Sequence, residues 1–197
     1  MAMLRLFTAV ELPPPVRHQL AELIAALSAA LPRGSVRWVR AEGIHLTLKF
    51  YGEVSGDKLP GLQAVVKSAA AGVGPLALEM NGLGTFPNLA RPRVIWAGLA
   101  GEVDRLKALQ RDVDDASRPL GFEPEARGFT PHLTLGRVEP GWRPADRQTL
   151  EGAFARLGPG VRGAFTGDTL ALVRSDLRPG GAVYTPQRGV KLVGFAD

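Results

Sequence analysis

His45-Leu46-Thr47-Leu48 and His132-Leu133-Thr134-Leu135 are one tetrapeptide written twice in a chain of 197 residues that holds only three histidines. In a β-strand successive side chains point to opposite faces. His45 and Thr47 then share one face and Leu46 and Leu48 the other, and the second copy repeats this 87 residues later. Each copy buries two leucines and presents an imidazole with a hydroxyl two residues on. Two such strands side by side predict two imidazoles across one cleft, an arrangement suited to acid–base chemistry on a phosphate. A lone histidine on a strand reads as a satisfied core residue. Two identical copies resist that reading, because core packing asks for the leucines but not for His and Thr opposite them.

Around the first copy, residues 44–51 read as a strand stopped by Gly52, approached by an extended piece over 36–39. Upstream, residues 4–12 read as a first strand ended by Pro13-Pro14-Pro15. Val16, Leu20, Leu23, Ile24, Leu27 and Leu31 then make the apolar stripe of a helix closed by Pro32 and Gly34. His18 falls on that helix's polar face with Arg17 and Glu22 and is expected to be solvated. Downstream, 57–71 reads as a second amphipathic helix, 76–83 and 93–99 as strands around a Gly- and Pro-rich connection, and 102–118 as a third helix. The second copy lies on a strand over 132–138. A short helix over 144–157 and strands over 163–166, 169–175 and 190–195 follow. This alternation with several short turns predicts an α+β fold of mixed or antiparallel sheets with helices outside. A β-α-β unit surrounds each motif, so one domain over 1–197 with two lobes in pseudo-two-fold relation is expected.

The absence of cysteine excludes disulfides, iron–sulfur clusters, thiolate zinc sites and cysteine nucleophiles. Three histidines without ligand spacing predict no metal site. No cofactor is expected either: Gly82-Leu83-Gly84 is not followed by a helix, and no nucleophilic serine elbow occurs. A net charge of +5, with 19 arginines against five lysines, suits an anionic ligand. The opening stretch MAMLRLFTAVELPPP is too short to span a membrane and lacks a signal peptide's basic start and cleavage site. A cytoplasmic, monomeric enzyme without a membrane partner is expected.

Displacement at phosphorus is in line, so one imidazole can take a proton from the attacking oxygen while the other gives one to the departing oxygen. Thr47 and Thr134 are placed to donate to the non-bridging oxygens, where charge grows in the transition state. Lys49 continues the alternation of His45 and Thr47 and is expected to bind substrate in the cleft. Arg137 would fall with Leu133 and Leu135 under strict alternation, but a bend or bulge at Gly136 frees it to reach the substrate. Arg91, Arg93, Asp112, Asp114 and Asp115 read as surface charges, and Glu123 and Glu125 as a loop pair without a catalytic role.

Together with Leu4 to Leu12, Arg37-Trp38-Val39, the run from His45 to Val54, Pro92 to Gly98 and Pro131 to Arg137, the two motifs resemble the 2H phosphoesterase superfamily. Within it, the chain is similar to the RNA 2′,3′-cyclic phosphodiesterases, also called 2′-5′ RNA ligase or ligT-like proteins, to about Tyr184. The resemblance implies a bilobal fold with the motifs facing across a central cleft. It also implies hydrolysis of RNA 2′,3′-cyclic phosphate ends, of tRNA-type or other fragments, to 2′-phosphates, and reversible 2′-5′ joining. By motif, His45 matches the proton donor, His132 the acceptor, Thr47 and Thr134 the phosphate-contacting threonines, and Arg137 a basic residue after the second motif. Tyr51 stands where Leu is commoner. Two other functions remain open from sequence: a phosphodiesterase for small cyclic nucleotides or 2′-5′ oligonucleotides, and a non-catalytic binder of RNA ends.

Overall fold

The computed structural model describes residues 2–124, 128–179 and 181–194. Apolar residues on both faces make β1 (Met3–Val10) a central strand: Leu6 and Val10 enter the main core, while Phe7 and Ala9 belong to a small second cluster on the other face. β1 lies between β3 (Leu46–Ser55) and β8 (Thr169–Arg178), and β8 carries β9 (Gly181–Lys191), giving the order β3-β1-β8-β9. The second sheet runs β2 (Val36–Trp38), β6 (His132–Val138), β5 (Val94–Gly101), β4 (Leu76–Phe86) and β7 (Arg162–Gly167). Every strand pairing in both sheets is antiparallel. The row β9-β8-β1-β3 corresponds to β7-β4-β5-β6, each ending on a motif strand, which is the expected two-fold likeness.

Four α-helices among the described residues cover the sheets: α1 (Pro14–Ala30), α2 (Leu59–Ala70), α3 (Val103–Ser117) and α4 (Pro144–Leu157). α1 packs on α4, β2 and β7, so the helix between β1 and β3 covers the second sheet. α3 packs on α2 and β3, so the helix between β5 and β6 lies behind the first sheet. Each lobe thus borrows the other's helix. Leu46, Leu48, Leu133 and Leu135 are all buried in the common core. Each such side chain contributes roughly 1.5–3 kcal/mol on burial.

Several boundaries differ from the sequence reading. The first motif strand does not stop at Gly52: Tyr51 is an extra residue between the Leu6–Gly52 and Phe7–Phe50 pairs, and the bulge lets the strand continue to Ser55. α2 starts at Leu59, behind a 3-10 turn over Gly56–Lys58. The last strand is Gly181–Lys191 and not 190–195; Phe195 lies outside the described residues. β9 is an edge strand, where Pro186 is tolerated because an edge can leave one side of its ladder unpaired.

Candidate active site

The route into the first motif brings the sheets together. β2 pairs with β6, Val36 facing Val138 and Trp38 facing Gly136, and the Val39 N–H donates to the Leu135 carbonyl at 2.8 Å. One 3-10 turn, Ala41–Gly43, then leads to His45 and β3. The segment before the first motif is therefore hydrogen-bonded to the strand of the second, and β3 and β6 pack against each other.

The two imidazoles are held alike. His45 Nδ1 lies 2.9 Å from the Gly43 carbonyl, and His132 Nδ1 lies 2.8 Å from the Thr130 carbonyl. A carbonyl only accepts, so Nδ1 carries the proton in each ring and Nε2 is the nitrogen left to titrate. Burial pushes the pKa of both below the ordinary imidazole value, against the opposing pull of the carbonyl bond. Positive charge pushes each a little further down, Arg17 for His45 and Arg137 for His132.

Aromatic rings complete each setting. Phe7 and Tyr184 meet His45 edge-on, with centroids 5.4 and 4.9 Å away. Phe86 meets His132 edge-on at 4.8 Å, and Trp96 lies tilted at 6.3 Å. In both lobes a glycine makes room. A Cβ on Gly43 would come within 2.8 Å of the Tyr184 ring, and one on Gly84 would overlap the Trp96 indole. These rings were not legible as site residues, because nothing local marks a strand aromatic as facing a cleft. Tyr184 also sits in a Gly- and Pro-rich stretch without a strand signal of its own. Arg17, expected on a solvated face, has a buried Nε with no partner and turns its charge on His45. His18 is solvent-exposed beside Glu22, as expected.

A bulge at the same place in each motif sorts the two cations. On β3, Ala9 faces Thr47 and Thr8 faces Lys49, leaving Leu48 as the extra residue. On β6, Trp96 faces Thr134 and Ile95 faces Gly136, leaving Leu135 extra. Beyond a bulge the side-chain alternation is inverted. Arg137, opposite Val94, therefore returns to the face of His132 and Thr134. Its charge bears on Tyr184 as well as on His132. Since Tyr184 packs on His45, the Arg137 charge bears on the surroundings of both imidazoles.

The same inversion carries Lys49 out of the cleft, which corrects its expected role in substrate binding. Lys49 is 3% exposed, ion-paired with Asp114 of α3, and donates to the Glu123 carbonyl at 2.8 Å. Gln110 donates to the other Asp114 oxygen at 2.6 Å. Asp114 is accordingly buried and not the surface charge expected of it, whereas Asp112 and Asp115 are exposed. The available signal was the spacing of Gln110, Asp114 and Ser117, a polar row one and two turns apart beside the apolar stripe of α3. Tyr51 belongs to this layer too, its hydroxyl 3.0 Å from Thr8 Oγ1 and 3.3 Å from Ser117 Oγ. Glu123 offers its backbone to Lys49, and Glu125 lies outside the described residues.

The family model of the LigT-like phosphoesterases matches residues 10–96 and 98–184, with one histidine motif in each stretch. The chain belongs to the LigT-like phosphoesterase family. This LigT-like phosphoesterase is 34% identical over 188 residues to the RNA 2′,3′-cyclic phosphodiesterase of Methanothermobacter thermautotrophicus, covering 95% of this chain and 98% of that one. Among solved structures it is similar to TT0787 of Thermus thermophilus, with a TM-score of 0.70 and 31% identity over 98% of this chain and 100% of that one. It is also similar to E. coli LigT complexed with 3′-AMP, with a TM-score of 0.75 and 27% identity over 97% and 99%. Among the described residues of the phosphoesterase, no helix is long and apolar enough to cross a membrane. No three His, Asp or Glu side chains among them are grouped as a metal set.

Proposed function

We propose that this protein hydrolyses RNA 2′,3′-cyclic phosphate ends to 2′-phosphates, using His45 and His132 as acid and base without a metal ion. The observation that carries the reading is the pair of equivalent imidazoles at the starts of abutting strands, each with Nδ1 tied to a carbonyl and Nε2 free for proton transfer. The name shared by relatives that align with most of this chain supports RNA ends as substrate. His132 Nε2 takes a proton from water as its oxygen attacks phosphorus, and His45 gives a proton to the departing 3′-oxygen. Water is added across the P–O3′ bond, and the phosphate stays on O2′. Thr47, Thr134 and Arg137 hold the non-bridging oxygens as charge builds. A ribose 5′-hydroxyl in place of water would join ends 2′-5′ by the same geometry.

The test is hydrolysis of a cyclic-ended oligonucleotide in EDTA, with analysis of the product end. Turnover to a 2′-phosphate is expected. A 3′-phosphate product would reverse the leaving oxygen, and activity abolished by EDTA and restored by added metal would overturn the metal-free scheme.

The lowered histidine pKa values set the pH dependence. The productive form has one imidazole protonated and the other neutral. Both values lie below about 6.5, so the free protein is mostly doubly neutral at about pH 7. Acidification first raises the productive fraction and then removes it as the second proton adds. The profile of kcat/KM, which reports the free enzyme, is therefore expected to be a bell with its maximum below about pH 6.5. A bound phosphate anion favours imidazolium, so the kcat bell should sit at higher pH. A kcat/KM maximum on the alkaline side would contradict this assignment.

A further inference from the structure

Phe50 is the one aromatic ring among the exposed large hydrophobic residues described, 42% open to solvent. Beyond the Leu48 bulge it pairs with Phe7, whose ring lies against His45 and Tyr184. Phe50 thus stands on the face of the first sheet that carries the candidate site. Arg5, two residues before Phe7 on that face, lays its guanidinium over the Phe50 ring, 4.5 Å from the centroid. Glu53 approaches Arg5 from the side at 3.8 Å, and the Arg5 charge also reaches Tyr184. Met3, exposed and two residues further back, prolongs the strip.

A solvent-facing ring with a guanidinium over it offers what a single-stranded nucleic acid uses: a surface on which any base stacks, and a cation for the backbone. A strand rises about 3.3 Å per residue, which puts Phe50 roughly 15 Å from His45 along β3. That is past the base of a nucleotide whose phosphate sits at the histidines, and within reach of the nucleotides before it. We propose that Phe50 and Arg5 form a docking subsite for the RNA chain upstream of the reacting end, Phe50 stacking a base and Arg5 meeting a backbone phosphate. The inference rests on the RNA-end reading above and makes the favoured substrate an oligonucleotide over a mononucleotide.

The test compares wild type, Phe50→Ala, Phe50→Trp and Arg5→Gln. One arm measures kcat/KM on a cyclic mononucleotide and on a cyclic-ended oligonucleotide. The other measures fluorescence anisotropy of a labelled oligonucleotide ending in 2′-phosphate. Phe50→Ala is expected to lower the oligonucleotide-to-mononucleotide ratio of kcat/KM about tenfold, the loss of one stacked base, and Phe50→Trp to restore it. Arg5→Gln should flatten the slope of log K against log salt by about 0.7, one phosphate contact on a single strand. A fall on both substrates alike would show a role in folding and overturn the subsite, as would an unchanged ratio with unchanged oligonucleotide affinity. Should wild type hydrolyse neither substrate, the reading of function fails, while the anisotropy series still decides the subsite.

Discussion

Hydrolysis of cyclic-ended RNA by His132→Asn or His45→Asn is expected to fall by about 10²- to 10⁴-fold, the usual contribution of one positioned acid or base. Asparagine can place its amide N–H where Nδ1–H donates to the Thr130 or Gly43 carbonyl, so the local backbone bond is kept while Nε2 is lost. The change then reports proton transfer and not collapse of the turn. In an in-line displacement both proton transfers belong to one event, so the double variant should be little slower than the slower single one. Single-turnover rates on a labelled oligonucleotide check this. Either single variant within about tenfold of wild type would sink the two-imidazole scheme, since that loss is below the range expected of a positioned group.

Asp114→Ala is expected to destabilise the fold by about 3–5 kcal/mol, because it strands the Lys49 ammonium in a nearly water-free layer between β3 and α3. The Asp114 side chain is 11% exposed, so little water can replace the lost carboxylate. Lys49→Met combined with Asp114→Leu should recover most of the loss, since apolar groups of similar volume often replace a buried pair at no net cost. Urea unfolding of wild type and the two variants measures the effect. The double variant also tests whether Lys49 touches substrate. Turnover near wild type is expected from a folded double variant, and a large loss of turnover without loss of stability would return Lys49 to the cleft.

Much of the site was legible because its signal is local and repeated. The period of two in His-Leu-Thr-Leu needs only that the segment be extended, and each pair of leucines then decides which face is buried. Three of the helices were legible from their apolar stripes, and the bounds read for α4 agree to the residue; a helix makes its hydrogen bonds within its own segment. β9 was not, because its Gly-, Pro- and Arg-containing sequence becomes a strand only by pairing with β8. Lys49 and Arg137 show the limit most clearly. Both follow a motif, and simple alternation places Lys49 in the cleft and Arg137 out of it, the reverse of what is found.

Read by itself, the sequence determined that two equivalent His–Thr strands exist, that an α+β fold carries them, and that Arg137 needs a bend near Gly136 to reach their face. Only the tertiary structure decided which side chains surround each imidazole: Tyr184 and Phe7 beside one, Phe86 and Trp96 beside the other, with Lys49 behind the sheet against Asp114. The physical reason is that alternation along a strand is a property of neighbouring residues. A bulge arises from pairing between strands far apart in the chain, and one inserted residue is enough to send every following side chain to the other face.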